Sequence, residues 1–270
     1  MIKRLLPLLL LAAPLTAAPA KATKILFIGN SYTYVNKLPT VVALMGLAGK
    51  KSMDISSYTA GATALIQFWE EKEHAKARTL VKKGHFNYVI LQDQSVTPCN
   101  TPEWTLTFGG KWCQLAKQNK SKPIFFITWA HISPDGTSFS FDMQDELTAT
   151  YHRAAQENGA RCAPVGEAWR LWYTKHPDIR LHAEDGSHPN AMGTYLAGCV
   201  FYSTLTGKSS VGLPATLSHE GKTFLSVPSE HAKELQQMAD RAVAAEKKYA
   251  AQQAAAAKAA EDETPNKLPN

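Results

Sequence analysis

The amino-acid sequence predicts an α/β protein: a three-layer α/β/α sandwich around a mostly parallel, five-stranded, flavodoxin-like sheet. Short, nearly continuous apolar runs recur along the chain, as strands buried on both faces require. Stretches with helical spacing of apolar residues separate them, so strands and helices alternate. Five such runs are too few to close an eight-stranded α/β barrel.

Residues 24–28, Lys-Ile-Leu-Phe-Ile, form the first strand, ended by Gly29-Asn30. A helix follows over 39–50, with Pro39 in its first turn and Val41, Leu44 and Leu47 spaced for one face. Residues 53–58 are the second strand, closed by Thr59-Ala60-Gly61-Ala62, and 65–82 a long amphipathic helix. The third strand is 87–91 and the fourth 123–128. Between them a helix near 103–119 is weakened by Gly109-Gly110. Asp142 is placed to cap the next helix, with Asp145 or Glu146 in its first turn and Gly159 at its end. The fifth strand is 161–165. Pro189 opens a helix bearing Met192, Leu196, Val200 and Phe201, which Gly207 closes. A last helix spans 229–253, with Leu235, Met238 and Val243 on one side. The domain is thus expected over 21–249, and 250–270, rich in Ala, Lys and Glu, as a frayed helix and disordered tail.

The first twenty residues have a different character. Lys3 and Arg4, the apolar run 5–15 and the small-x-small site Ala18-Pro19-Ala20 predict a secretory signal peptide cleaved after Ala20. The apolar run is too short to cross a bilayer, which takes about 20 residues, so no span is expected in the mature chain. No Cys follows the run, which argues against a lipoprotein anchor. The mature protein is therefore expected to be periplasmic or secreted. Loss of Lys3 and Arg4 leaves 27 basic against 23 acidic residues, lowering the charge from +6 to +4. That excess is spread along the chain and gives no support to nucleic-acid binding. Four cysteines in an oxidising compartment predict two disulfides, and Cys99–Cys113 with Cys162–Cys199 is the favoured pairing because the first closes a short loop. Their spacing fits no zinc motif.

Two short blocks carry chemistry. Gly29-Asn30-Ser31-Tyr32-Thr33 ends the first strand, so Ser31 points into the crevice beyond the sheet, where backbone N–H groups can face an anion. A serine hydroxyl needs a base within hydrogen-bond reach to act as a nucleophile. Asp185-Gly186-Ser187-His188-Pro189 supplies one: residues three apart share one side of a turn leading into a helix. Asp185 then accepts from one ring nitrogen of His188 and leaves the other for the Ser31 proton. No further His or carboxylate follows at ligand spacing, so no metal is assigned to this pair. His182 and Glu184 read as surface or loop residues. This is not the Gly-x-Ser-x-Gly elbow of the α/β-hydrolases, because Thr33 stands two residues after Ser31.

The combination resembles the SGNH or GDSL-type serine ester hydrolases, over residues 24–205 and in the right order. Gly29-Asn30-Ser31 matches the first block, with Asn30 where Asp is usual. Gly61, just past the second strand, matches the glycine block, and Asp185-Gly-Ser-His188-Pro189 the last. The third block departs from the pattern: Gln92-Asp93-Gln94-Ser95 replaces Gly-x-Asn-Asp, like a divergent branch with Leu-Gln-x-Gln-Ser at this place. The resemblance implies a Ser31–His188–Asp185 triad and an acyl-enzyme, with no cofactor. It implies an oxyanion hole of the Ser31 and Gly61 N–H groups plus the Gln94 amide, with Gln92 as the other candidate.

The substrate expected by the resemblance is a short-chain ester, an O-acetyl group on a carbohydrate foremost. No long hydrophobic lid is visible, which favours short acyl groups over a lipase or lysophospholipase. A catalytically silent carbohydrate-binding protein on the same fold is the alternative from another class. Trp129 and His131, after the fourth strand, and Tyr32, beside Ser31, are the candidate substrate contacts. Trp69, Trp104, Trp112, Trp169 and Trp172 read as helix packing.

Overall fold

The computed structural model describes residues 22–133, 136 and 138–262. The expected signal peptide and the last eight residues of the expected tail lie outside them. Five strands form one sheet: β1 (Thr23–Gly29), β2 (Met53–Thr59), β3 (Tyr88–Leu91), β4 (Lys122–Phe126) and β5 (Arg161–Ala163). Their order is β2-β1-β3-β4-β5 and every pairing is parallel, the flavodoxin-like arrangement expected. The chain reverses its direction of travel across the sheet between β1 and β3. The carboxyl ends of these two strands are therefore the topological switch point, where open α/β sheets place their ligand sites.

Helices cover both faces. α2 (Leu38–Ala48), α9 (Ala191–Thr206) and α10 (Ser229–Asp262) pack together on one. α3 (Leu65–Glu70), α4 (Ala75–Lys83), α6 (Pro102–Gln118) and α7 (Phe141–Glu157) pack on the other, and α8 (Val165–Lys175) touches α7, α9 and α10. Neighbouring strand residues serve opposite faces. Phe126 meets Phe201 of α9 edge-on, with ring centroids 4.8 Å apart. Phe125 turns to Tyr151 of α7 and lies so close to α6 that a Cβ on Gly109 would sit 2.9 Å from its ring. Full burial of such a side chain stabilises the fold by about 1.5–3 kcal/mol. Asn190 caps α9 by accepting from the Gly193 N–H at 3.0 Å, and Gly207 ends it at φ +70°.

Several elements differ from expectation. The helix expected over 65–82 is broken, because Glu71 is extended (φ −74°, ψ 133°). The break sets the His74 ring beside Phe68 and Tyr58, 5.0 and 6.1 Å between centroids. Ser140, not Asp142, occupies the cap position of α7, and Asp142 lies in its first turn. α10 continues past residue 253 to Asp262. A two-stranded hairpin, β6 (Thr216–His219) with β7 (Lys222–Ser226), was not anticipated, whereas α8 carries Trp169 and Trp172 on a helix, as expected of them.

The expected disulfides do not form: all four cysteines are free. The thiols are held by different neighbours. Cys99 Sγ lies 3.8 Å from the Met143 carbonyl and Cys162 Sγ 3.8 Å from that of Tyr151. Cys113 is buried within α6 and Cys199 within α9. They pack as small apolar residues, and burial pushes the Cys99 and Cys113 thiols up to about 12.

Candidate active site

The site is assembled at the tips of β1, β2 and β3. Asn30 leaves β1 and caps the single turn α1 (Ser31–Tyr34), its Oδ1 accepting from the Tyr32 N–H at 3.1 Å. Its Nδ2 donates to the carbonyls of Thr63 and Asp93, at 3.2 and 3.4 Å. One buried amide thus ties the segments following all three strands. An aspartate, the residue usual at this place in the SGNH pattern, would face two carbonyls without a hydrogen to give them. Gln92, fully buried, braces the same turn: its Oε1 accepts from Asn30 N–H at 2.8 Å and Thr33 Oγ1 at 2.9 Å, and its Nε2 donates to the Asp93 carbonyl. Gln92 is thus fully buried with its amide bonded inward, whereas Gln94 is half-buried, which favours Gln94 of the two candidate oxyanion donors. A Cβ on Gly29 would lie 2.4 Å from Gln92 Oε1, so only glycine fits there.

Asp93 was not anticipated as an organising residue. Its buried carboxylate accepts from Leu65 N–H (2.9 Å), Gln94 N–H (2.8 Å) and Thr105 Oγ1 (2.7 Å). It thereby joins α3 and α6 to the β3 tip, and burial raises its pKa despite those donors. A lone Asp after a strand gives no sequence signal of such partners.

The distant block arrives on a turn before α9. His188 Nε2 lies 2.8 Å from Ser31 Oγ, and His188 Nδ1 lies 2.6 Å from Asp185 Oδ2. Asp185 Oδ1 accepts the backbone N–H groups of Ser187 and His188, each at 2.9 Å, fixing the turn. Gly186 permits it at φ +67°. Burial alone would raise the Asp185 pKa, but these two N–H donors and the His188 ring together bring it down to about 2. The site is open: the His188 and Asp185 side chains are 34% and 51% exposed. The three residues expected as a triad are brought together.

Gly61 sits in an exposed turn whose left-handed residue is Ala62 (φ +55°), not the glycine. A Cβ on Gly61 would lie 3.3 Å from Tyr34 Oη. Among the described residues neither the Ser31 nor the Gly61 N–H has a hydrogen-bond partner. Gln94 Oε1 accepts from the N–H groups of Val96 (2.9 Å) and Thr97 (3.2 Å), and its Nε2 donates to Ser95 Oγ at 3.1 Å. The amide oxygen thereby caps α5 (Thr97–Asn100) and leaves one Nε2 hydrogen for another acceptor.

Of the expected substrate contacts, two are corrected. Trp129 is fully buried, stacked between Tyr32 (4.4 Å, 12°) and Trp169 (4.3 Å, 7°), so no sugar can lie on it. Tyr32 is 2% exposed, and its hydroxyl is shared with Ser187 Oγ at 2.7 Å and His131 Nε2 at 2.8 Å. Both are supports: Trp129 Nε1 also donates to the Ser187 carbonyl at 2.8 Å, holding the Asp185–His188 turn from below. His131 is partly buried, and burial holds its imidazole below the ordinary value, favouring the neutral ring. His182 is buried, its Nδ1 2.8 Å from Tyr173 Oη and its Nε2 2.9 Å from the Ala130 carbonyl; burial lowers its pKa to about 4.

No protein-family model matches the chain, and no curated protein matches it. Solved structures do. A DUF4886 family protein from Bacteroides uniformis is 17% identical, over 83% of this chain and 95% of its own, with a TM-score of 0.69. A protein from Slackia heliotrinireducens, provisionally described as an SGNH hydrolase, is 22% identical over 68% of this chain and 100% of its own, with a TM-score of 0.59. The lipase/acylhydrolase from Enterococcus faecalis is 13% identical over 68% of this chain and 96% of its own, with a TM-score of 0.53. At these identities the likeness is one of fold: the chain has the three-layer α/β/α architecture of SGNH and GDSL-type proteins.

Proposed function

We propose that the protein is a serine ester hydrolase of the SGNH type, exported, and acting on a short acyl group, foremost O-acetyl, carried by a carbohydrate. The observation that carries the proposal is the unbroken relay from Ser31 Oγ to His188 Nε2 (2.8 Å) and from His188 Nδ1 to Asp185 Oδ2 (2.6 Å). Ser31 Oγ attacks the ester carbonyl as its proton passes to His188, and the Asp185 carboxylate holds the ring tautomer and stabilises the imidazolium. The free N–H groups of Ser31 and Gly61, with the remaining Gln94 amide hydrogen, stabilise the tetrahedral oxyanion. His188 then protonates the leaving alkoxide, and a water activated by the same ring releases the acid from the acyl-enzyme.

Short acyl groups and a bulky, soluble alcohol suit a site whose acid is half exposed and whose nucleophile lies near the surface. With Trp129 buried, Tyr34 is the aromatic face available for a sugar: it is 44% exposed and its hydroxyl lies over Gly61. Incubation of the purified protein with an active-site phosphonate at neutral pH tests the chemistry. One label per chain, on Ser31 and absent from Ser31→Ala, is expected. Acetylated sugars and p-nitrophenyl esters of rising chain length then define the acyl group. Failure to label, together with no hydrolysis across the panel, would sink the proposal.

A further inference from the structure

A second convergence of reactive side chains lies at the β5 edge of the sheet, three strands from β1. His152 comes from α7, Cys162 from β5 and Glu246 from α10, and one donor atom of each lies within 4.8 Å of the other two. His152 Nε2 is 2.8 Å from Glu246 Oε2, the two side chains being 16% and 11% exposed, and Cys162 is 4% exposed. Tyr249 stacks on the His152 ring, centroids 4.1 Å apart and 16° from parallel, which fixes its direction. All three residues line one cavity of about 280 Å³, whose walls are largely apolar, with Ala155, Ala250 and Ala254 among them. Thr204 lines it too. Its Oγ1 is buried and has no hydrogen-bond partner among the described residues. A buried hydroxyl left unpaired costs about 1–3 kcal/mol, so it points to something polar within the cavity.

We propose that His152, Cys162 and Glu246 bind a zinc ion, with a fourth position open to the cavity. Thiolate, imidazole and carboxylate form a donor set suited to zinc rather than to magnesium or calcium. In a tetrahedral zinc site neighbouring donor atoms stand roughly 3–4 Å apart, so small side-chain rotations suffice. The Cys162 thiolate and the Glu246 carboxylate balance the dication, leaving the buried site without net charge. On binding, the Cys162 S–H bond breaks, the sulfur pair goes to zinc and the proton leaves to solvent. The neutral His152 ring keeps its one proton on Nδ1, so that the Nε2 lone pair, freed of the proton it shares with Glu246, goes to zinc. A water on the fourth position bonds to Thr204 Oγ1. Loaded, the ion fastens the distal half of α10 to β5 and α7.

Isothermal titration of the chelator-treated full chain with zinc chloride, paired with the absorption spectrum on adding cobalt(II), tests the proposal. One equivalent of zinc is expected to bind, and cobalt to give the near-ultraviolet thiolate-to-metal band. Cys162→Ser removes that band. Cys162→Ser and Glu246→Gln each weaken zinc binding by about 100-fold or more, whereas His188→Ala leaves it unchanged, which places the ion away from Ser31. Near-ultraviolet circular dichroism checks that the variants fold. Should Cys162→Ser misfold, the wild-type cobalt spectrum decides alone. A dissociation constant weaker than about 10 µM, no thiolate band, or affinity untouched by a folded Cys162→Ser would overturn the site and leave an ion pair beside a buried thiol. None of these outcomes bears on the proposed esterase chemistry.

Discussion

Tyr32 lies flat on Trp129, ring centroids 4.4 Å apart and 12° from parallel, while its hydroxyl joins Ser187 to His131. The residue next to Ser31 thereby carries the turn that delivers His188. Trp129→Ala is expected to cost about 3–5 kcal/mol in urea unfolding, because a buried ring of that size leaves a cavity. Tyr32→Phe keeps the stack and removes the hydroxyl. It should cost about 1 kcal/mol of stability and lower kcat with KM unchanged. A rise in KM without a fall in kcat would instead make Tyr32 a substrate contact.

Gln92 and Gln94 should separate cleanly. Gln92→Ala strands the Asn30 N–H and Thr33 hydroxyl in the interior and should destabilise the fold by roughly 2–4 kcal/mol. Gln94→Ala removes the α5 cap, worth about 1 kcal/mol, and the proposed oxyanion donor, worth about 10²–10³ in kcat. Denaturation midpoints beside steady-state kinetics check both. Unchanged kcat in Gln94→Ala would remove Gln94 from the oxyanion hole.

Asn30→Asp restores the residue usual in the SGNH pattern, yet it should destabilise this protein by about 1–3 kcal/mol. The new carboxylate would face the Thr63 and Asp93 carbonyls, to which Asn30 now donates. Chemical denaturation of the two proteins at pH 7 measures the difference. A neutral or stabilising effect would contradict the bridging role assigned to the amide.

The Asp185 carboxyl titrates at about 2 in the folded protein against an ordinary 3.8. Its folded value is depressed, so its contribution to stability is present above about pH 4 and is lost as pH falls through about 2. The carboxylate is half exposed, and solvent screening keeps that contribution small. Between about pH 4 and 8 it stays ionised, so any acid limb of kcat/KM in this range should have unit slope. A slope of two would bring a second proton, and Asp185, back into account. Asp185→Asn should lower kcat about 10³-fold at neutral pH.

Much of the fold was legible because each central strand is buried on both faces and so must be almost wholly apolar, as in Ile25 to Ile28. The Asp185–His188 pair was legible because its geometry is local, three residues apart on one turn. What escaped depends on which neighbour a residue meets. Trp129 follows a strand, but only the rings of Tyr32 and Trp169 decide that it packs inward. Asp93 draws its partners from Leu65 and Thr105, beyond any local pattern. The cysteine count was even, yet each thiol is surrounded by a different helix or strand, and counting cannot reveal that.

The hydrogen bond between His188 and Ser31 closes a span of 157 positions in the chain. A loop of that size forms slowly, because its closure entropy is lost before its contacts are gained. Turnover should therefore be the last property to return during refolding, trailing the recovery of helical signal, and a ribosome-bound chain not yet past Pro189 should hydrolyse nothing.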